Sequence, residues 1–254
     1  MRTTTLCAVL VAALSFGCDS GRSAAPVDAP SASSSTTPAS PEQSGATRSS
    51  DTAVAPAAPS AADDEAAVRQ VFLGYRKAID EKSGERAASF AATRTIEYFD
   101  AMRRAALSMP AAELRKQPTM DRLMALTMRA RFDAAVLRKL DGRGLFTLGV
   151  DEGMVGKDVL SLEPGAVVVA GDTARIGLVS RGQEVPPESG FRFERERGHW
   201  RLDVMSIAPL ATPALEQALA SVDADPDVAM VKLLEKIAGK PLGAAIWEPL
   251  DPAR

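Results

Sequence analysis

An α+β fold is predicted for residues 63–254, with helices first and antiparallel strands after them. Three observations predict it. Apolar residues recur at threes and fours from Val68 to Leu140, they alternate in twos from Ala166 to Ile207, and Gly- or Pro-containing turns punctuate both halves. Helices grouped ahead of strands favour α+β over an alternating α/β sheet. About 190 residues of mixed composition are enough for one sizeable domain.

The first helix carries Val68, Val71, Phe72, Tyr75, Ala78 and Ile79 on one face. Asp63, Asp64 and Glu65 occupy its opening turn, where carboxylates suit the helix dipole. Gly84 is expected to end it. A second helical piece covers Arg86 to Ala92, and a third runs from about Thr95 to Leu107 with Ile96, Phe99, Met102 and Ala106 aligned. Pro110 and Pro118 bracket a short turn from Ala111 to Lys116. Thr119 then reads as the N-cap of a helix through Leu140, with Gly142 and Gly144 at its end.

After Gly156 the period changes to two. Lys157 to Leu162 is a candidate strand, Ala166 to Val169 is β-rich, and Ala170-Gly171-Asp172 is a turn. Thr173 to Val179 alternates, placing Ala174, Ile176 and Leu178 on one face. Gly182 to Gly190, with Pro186-Pro187, is expected to be a loop. Phe191 to Glu196 and Trp200 to Ile207 form a hairpin turned at Arg197-Gly198. Thr212-Pro213 and Asp225-Pro226 have the form of N-cap and N1 pairs opening two closing helices. The tail from Leu242 to Leu250, with Ile246 and Trp247, is expected to dock on the domain rather than wait for a partner.

The N-terminus has a different character. Arg2 precedes an apolar run from Leu6 to Leu14, whose nine residues would rise only about 14 Å as a helix, against a hydrocarbon core of about 30 Å. A charged start, a short apolar core and small residues after it fit a cleaved export signal over residues 1–17. Cys7 would leave with the signal, so Cys18 is the one cysteine of the mature chain and has no disulfide partner there. From Asp19 to Ala62, 33 of 44 residues are Ala, Ser, Pro or Thr, and none is aromatic, Leu, Ile or Met. Such a stretch buries too little apolar surface to offset ordering, so residues 18–62 are expected to be a disordered tether or, alternatively, a glycosylated stalk.

Ser15-Phe16-Gly17-Cys18 resembles the lipobox of bacterial lipoproteins, with Ser15 in place of the usual Leu and a bulky Phe16. The resemblance implies cleavage before Cys18 and acylation of that residue. Ordinary secretory cleavage after Ala25 is the alternative. The implied location is the bacterial cell envelope, held to a membrane through the N-terminal lipid. Asp19 occupies the place that favours inner-membrane retention in lipoproteins resembling those of enteric bacteria; inner and outer membranes both stay open.

Three stretches of the domain resemble the NTF2-like superfamily, the α+β cone shared with SnoaL-like domains. They are the opening helix from Val68 to Ile79, the turn Gly171-Asp172-Thr173-Ala174-Arg175-Ile176, and the hairpin from Phe191 to Asp203 with its Gly198-His199-Trp200-Arg201 spacing. The likeness covers about 70–207. It implies N-terminal helices packed on a curved antiparallel sheet, and a group whose members are enzymes, binders or scaffolds. This chain departs from it in a longer helical stretch near 110–156 and in two extra C-terminal helices, additions that would narrow or cap the mouth of a cone.

The chemistry on offer is sparse. Members resembling dehydratases pair a His with an Asp inside the cone, but the lone histidine, His199, sits at a hairpin turn. Isomerase-like members use a carboxylate and a phenol, for which Tyr75, Tyr98, Asp100 and Asp203 are the candidates. Tyr75 is expected in the core with its hydroxyl bonded, Tyr98 and Asp100 on the outer face of the third helix, and Asp203 paired with Arg201. The possible pocket residues are Tyr75, Tyr98, Met102 and Asp203. Met120, Met124 and Met128, four apart on one helix face, read as core filling that in other settings forms apolar ligand grooves. Asp151-Glu152 is expected in a solvated loop, and Glu194 to Arg197 on a surface hairpin. There is no His cluster, Gly-rich phosphate loop or Gly-x-Ser-x-Gly elbow, so no cofactor and no metal are expected. A net charge of −3 without a basic block argues against nucleic acid. The expected role is a module for an apolar small molecule or an envelope protein. An isomerase or hydrolase working inside the cone is the alternative, and a scaffold with a filled interior is a third possibility.

Overall fold

The computed structural model describes residues 60–251. The expected signal, Cys18 and the expected tether up to residue 59 lie outside the described residues. The fold class is α+β: helices lead, a five-stranded antiparallel sheet follows, and further helices close the chain.

Helix α1 (Ala61–Asp80) starts earlier than Asp63 because Ser60 and Asp63 form a capping box, each side chain serving the other's backbone N–H. It buries Val68, Phe72, Tyr75, Ala78 and Ile79, the face its periodicity predicts. Arg69 donates to the carbonyls of Pro164 and Gly165 at 3.2 and 2.9 Å, and Arg76 to that of Leu160, which fixes the helix along the start of the sheet. Asp64 accepts from the Trp200 indole at 3.1 Å and pairs with Arg195 at 2.7 Å, while the Arg195 guanidinium stacks 4.3 Å from the Trp200 ring. The Arg195 contact, helped by the indole, holds the Asp64 carboxyl below its usual range.

Next come α2 (Gly84–Phe90) and α3 (Thr93–Ser108), which buries Phe99, Met102 and Ala106. No side chain of its own caps α3; Glu196, more than a hundred residues downstream, accepts from both the backbone N–H and the hydroxyl of Thr93 at 2.7 and 2.8 Å. The short α4 (Ala111–Leu114) follows Pro110.

The expected Thr119–Leu140 helix is divided. Helix α5 (Thr119–Arg131) ends where Phe132 and Asp133 turn extended, and α6 (Ala134–Lys139) resumes in a new direction. After the turn, α6 buries Leu137 in the hydrophobic cluster that Met128 of α5 also joins, while Leu123 and Leu126 of α5 face the other. Thr119 is not the N-cap: it is the first helical residue, and its hydroxyl donates to Glu216. Gly142 does not stop a helix; it opens α7 (Gly142–Asp151), capped by Asp141 accepting from Gly144 N–H at 2.7 Å. A Cβ at Gly142 would fall 2.2 Å from the Ile96 carbonyl oxygen, so this glycine marks the close approach of α7 to α3. Gly84 likewise begins α2, where its N–H donates to the Asp151 carboxylate at 2.7 Å. Asp151 is therefore the last residue of α7 with a structural partner, not part of a free loop.

Lys157–Ser161 is a 3-10 helix where a strand was expected. Its bonds run from Val159 N–H to Gly156 and from Leu162 N–H to Val159, and the three-residue spacing puts Val159 and Leu162 inward together. Strand β1 (Glu163–Ala170) pairs with β2 (Thr173–Ser180), with a register shift between Pro164 and Val167. The far edge of β2 is shared: β3 (Gln183–Val185), inside the stretch expected to be loop, takes the Leu178–Ser180 end, and β4 (Phe191–Glu196) takes Thr173–Ile176. Strand β5 (His199–Asp203) completes the hairpin and ends earlier than expected, in a 3-10 turn over Val204–Ile207.

Helix α8 (Ala208–Val222) begins one turn before Thr212-Pro213. Pro209 opens it, where no N–H is needed, and Pro213 is carried inside with Thr212 bonding back to the Ala208 carbonyl at 2.9 Å. Helix α9 (Pro226–Ala238) is capped by Asp225 as expected. Ile246 and Trp247, in a 3-10 turn over Ala244–Trp247, are buried.

Two hydrophobic clusters result. The first joins the inner faces of α1, α3 and α7 with the sheet and holds the aromatic residues Phe72, Phe99, Phe146, Phe191 and Phe193. The second gathers Leu114, Leu123, Leu126, Leu215, Met230 and Trp247 from α4, α5, α8, α9 and the C-terminal segment. Arg129, 7% exposed, clasps the second cluster. Its guanidinium donates to the carbonyls of Ala105, Ala106 and Met109 at the end of α3 and to those of Ile246 and Trp247. Burial lowers its pKa to about 10, so it stays cationic at neutral pH.

Candidate functional site

Where the two clusters meet they do not close on each other. A partly open cavity of about 240 Å³ lies there. One wall is Tyr75 of α1 with Phe99 of α3 and Phe191 of β4. A second is α5, which contributes Met120, Leu123, Met124, Thr127 and Met128. Opposite them lie Met205, Ile207, Ala211 and Leu215 of the segment leading into α8. The 153–162 loop supplies Met154, Val155, Gly156, Asp158 and Val159. Half-buried Met120, Met124, Phe132 and Met205 stand between the interior and solvent. Unbranched thioether side chains there can re-pack around ligands of different outline.

The polar content of this lining is small. Thr127 spends its hydroxyl on the Leu123 carbonyl at 2.7 Å, within its own helix. Tyr75 is fully buried, and its hydroxyl has no hydrogen-bond partner among the described residues, contrary to the expectation that it would be bonded. Burial pushes its pKa upward, so it is a neutral phenol. Gly156 packs directly against that hydroxyl. Its φ of +83° suits glycine, and a Cβ there would stand 3.1 Å from the Tyr75 oxygen and 2.7 Å from Ile79 Cδ1. Asp158, two residues on, is half-buried; burial raises its pKa to about 6 against the smaller opposing effect of Lys157.

The four pocket candidates of the sequence separate. Tyr75 lines the cavity. Met102 is buried in the first cluster and lines neither this cavity nor the cleft described next. Tyr98 and Asp203 lie instead along an open polar cleft with Arg94, Arg104, Arg143 and Arg192. There the Tyr98 hydroxyl donates to Asp121 at 2.9 Å, and burial together with that carboxylate pushes its pKa up. Asp100 pairs with Arg103 and Arg104. Asp203 pairs with Arg94 at 3.4 Å and caps Met205 N–H, not with Arg201, which reaches back to the Ser89 carbonyl. Strand alternation stops at Asp203, so the facing argument that paired it with Arg201 fails there. Burial raises its pKa, with Arg94 opposing. The guanidiniums of this cleft already have carboxylate or carbonyl partners, as Arg192 does with Glu194 and Arg175 with the Glu188 carbonyl. His199 is exposed.

The hairpin run from Glu194 to Arg197 is not a free charged strip. Glu194, Arg195 and Glu196 all bind back onto α1 and α3. Among the described residues no group of three or more His, Cys, Asp or Glu comes together to hold a metal ion, and no helix is long and apolar enough to cross a membrane.

The sequence did not single out Gly156, Asp158 or Met205 as cavity residues. The signal for the first two was the Val159–Leu162 spacing of three, which is helical and not alternating. Comparison with protein families, with curated proteins and with solved structures finds no match to this chain.

Proposed function

We propose that this chain is an envelope lipoprotein, acylated at Cys18, whose NTF2-like domain binds an apolar small molecule. The observation that carries the binding role is the cavity between the two clusters. Its lining is almost wholly apolar, and it exceeds the engineered cavity of about 150 Å³ that accepts benzene in another protein. Support for the cone is the order of helices before an antiparallel sheet, with α1 laid on that sheet and the cavity at its side. The helices α5–α7 and α8–α9 are the departures from the usual plan, and α5, α7 and α8 of this set build much of the cavity wall instead of filling it. Support for the anchor is Cys18 at the end of the apolar export run. Two or more acyl chains hold a protein on a bilayer durably, since each buried CH₂ contributes about 0.8 kcal/mol.

The test uses the mature protein and butylbenzene as a neutral, wholly apolar probe. At about ten times its dissociation constant, a ligand stabilises the native state by about 1.4 kcal/mol, which raises the melting temperature by a few degrees. Ala211→Leu places extra carbons in the cavity and should abolish that shift. No shift with the wild-type protein, or an equal shift with the variant, would overturn the assignment. Mass spectrometry of the mature N-terminus checks the anchor, and an unmodified thiol at Cys18 refutes it.

A further inference from the structure

The cavity has a polar end, and its composition restricts what can sit there. No lysine, arginine or histidine is among the lining residues, so nothing in the wall neutralises a buried anion. The ionisable groups present are the Tyr75 phenol and the Asp158 carboxyl. A phenol donates one hydrogen bond and accepts others; this one is fully buried beside Gly156 and has no partner among the described residues. A buried hydroxyl left unbonded is costly, so one that lines a cavity is a candidate for a partner supplied by the cavity's occupant.

We infer that the ligand is an uncharged amphiphile: an apolar body with one hydrogen-bonding oxygen, seated against the Tyr75 hydroxyl at the Gly156 end of the cavity. Free fatty acids, phosphates and other anions are the excluded class. An anionic head would lose its hydration without gaining a cation and would share the cavity with the Asp158 carboxylate at neutral pH. The inference rests on the cavity being a binding site, and it adds the charge and the polar end of the occupant.

Three compounds of one outline test it at pH 8: butylbenzene, 4-phenyl-1-butanol and 4-phenylbutyrate, with binding to the mature protein measured by calorimetry. Tyr75→Phe is the informative variant, because it removes an unpartnered hydroxyl and should leave stability unchanged or slightly higher. It should weaken the alcohol about fivefold while leaving butylbenzene unaltered. The anion should bind at least about tenfold more weakly than the alcohol, and Asp158→Asn should narrow that gap. If Tyr75→Phe moves alcohol and hydrocarbon alike, or the anion binds as tightly as the alcohol, the inference falls while the cavity assignment stands. If butylbenzene itself does not bind the wild-type protein, both fall together.

Discussion

The two hydrophobic clusters are built from different materials and held together by different means. The first uses rings and strands. Phe99 meets Phe146 edge-on at 5.1 Å, Phe72 meets Phe191 at 5.9 Å, and the sheet ladder sets Phe191 and Phe193 opposite Ile176 and Ala174. The second is helical, made of Leu, Met and Ala with Trp247, and lacks a ladder to register its parts. A single buried cation, Arg129, does that work by gathering the ends of α3 and of the C-terminal segment. Two cores ordered by different devices need not interlock where they touch, and the cavity lies along that seam. The contrast teaches that a void here follows from architecture and does not require loose packing in either cluster.

The largest effect should come from removing the clasp. Arg129→Met takes a donor from five carbonyl groups, of which Ala105 and Ala106 keep a backbone donor, and the orphaned acceptors should cost about 3–5 kcal/mol together. Hydrogen exchange would sharpen the comparison: amides of α8 and α9 should lose protection well before those of β2 and β4. Simultaneous loss would show that the two clusters unfold as one unit. A smaller effect is expected at the seam. Because burial raises the Asp158 pKa from 3.8 to about 6, the folded state holds that proton more tightly than the unfolded chain. Its contribution to stability is therefore greatest below pH 4 and declines as pH rises to about 6. Asp158→Asn should remove that decline, gaining on the order of 1–2 kcal/mol at pH 8 and almost nothing at pH 3.5, as read from denaturant midpoints. Asp64 works in the opposite direction, since its lowered pKa adds stability that is lost as pH falls below its usual carboxylate range. The smallest effect belongs to the first cluster. Trp200→Phe deletes the indole bond to Asp64 and should cost about 1 kcal/mol, without altering protection in α8 or α9.

These contrasts also mark what could be read from the chain. The face of α1, the β4–β5 hairpin and the Asp225 cap follow local rules, and the residues that obey them stand where those rules put them. Glycines misled. Gly84 and Gly142 look like helix stops, yet they are contacts between helices distant in sequence, and only the tertiary neighbour reveals that. The break at Phe132-Asp133 carries no Pro or Gly, so no local breaker announced that the helix would end there. Of the candidate site, Tyr75 and the methionine stripe at 120, 124 and 128 were legible from helical spacing. Asp158 was hidden because a short apolar run beside it satisfies both a strand pattern and a 3-10 turn. The separation of Tyr98 and Asp203 from Tyr75 depends on how the helices are set around the sheet, and no periodicity encodes that.

The Arg129 arrangement has an evolutionary corollary. Every group it binds is a main-chain oxygen, which any amino acid offers equally. Those bonds therefore constrain the path of the main chain and not its side chains, while the burial of Ile246 and Trp247 separately holds their apolar character. Related chains, when compared, should show a fixed arginine facing a strap that keeps apolar residues at these two places and varies around them.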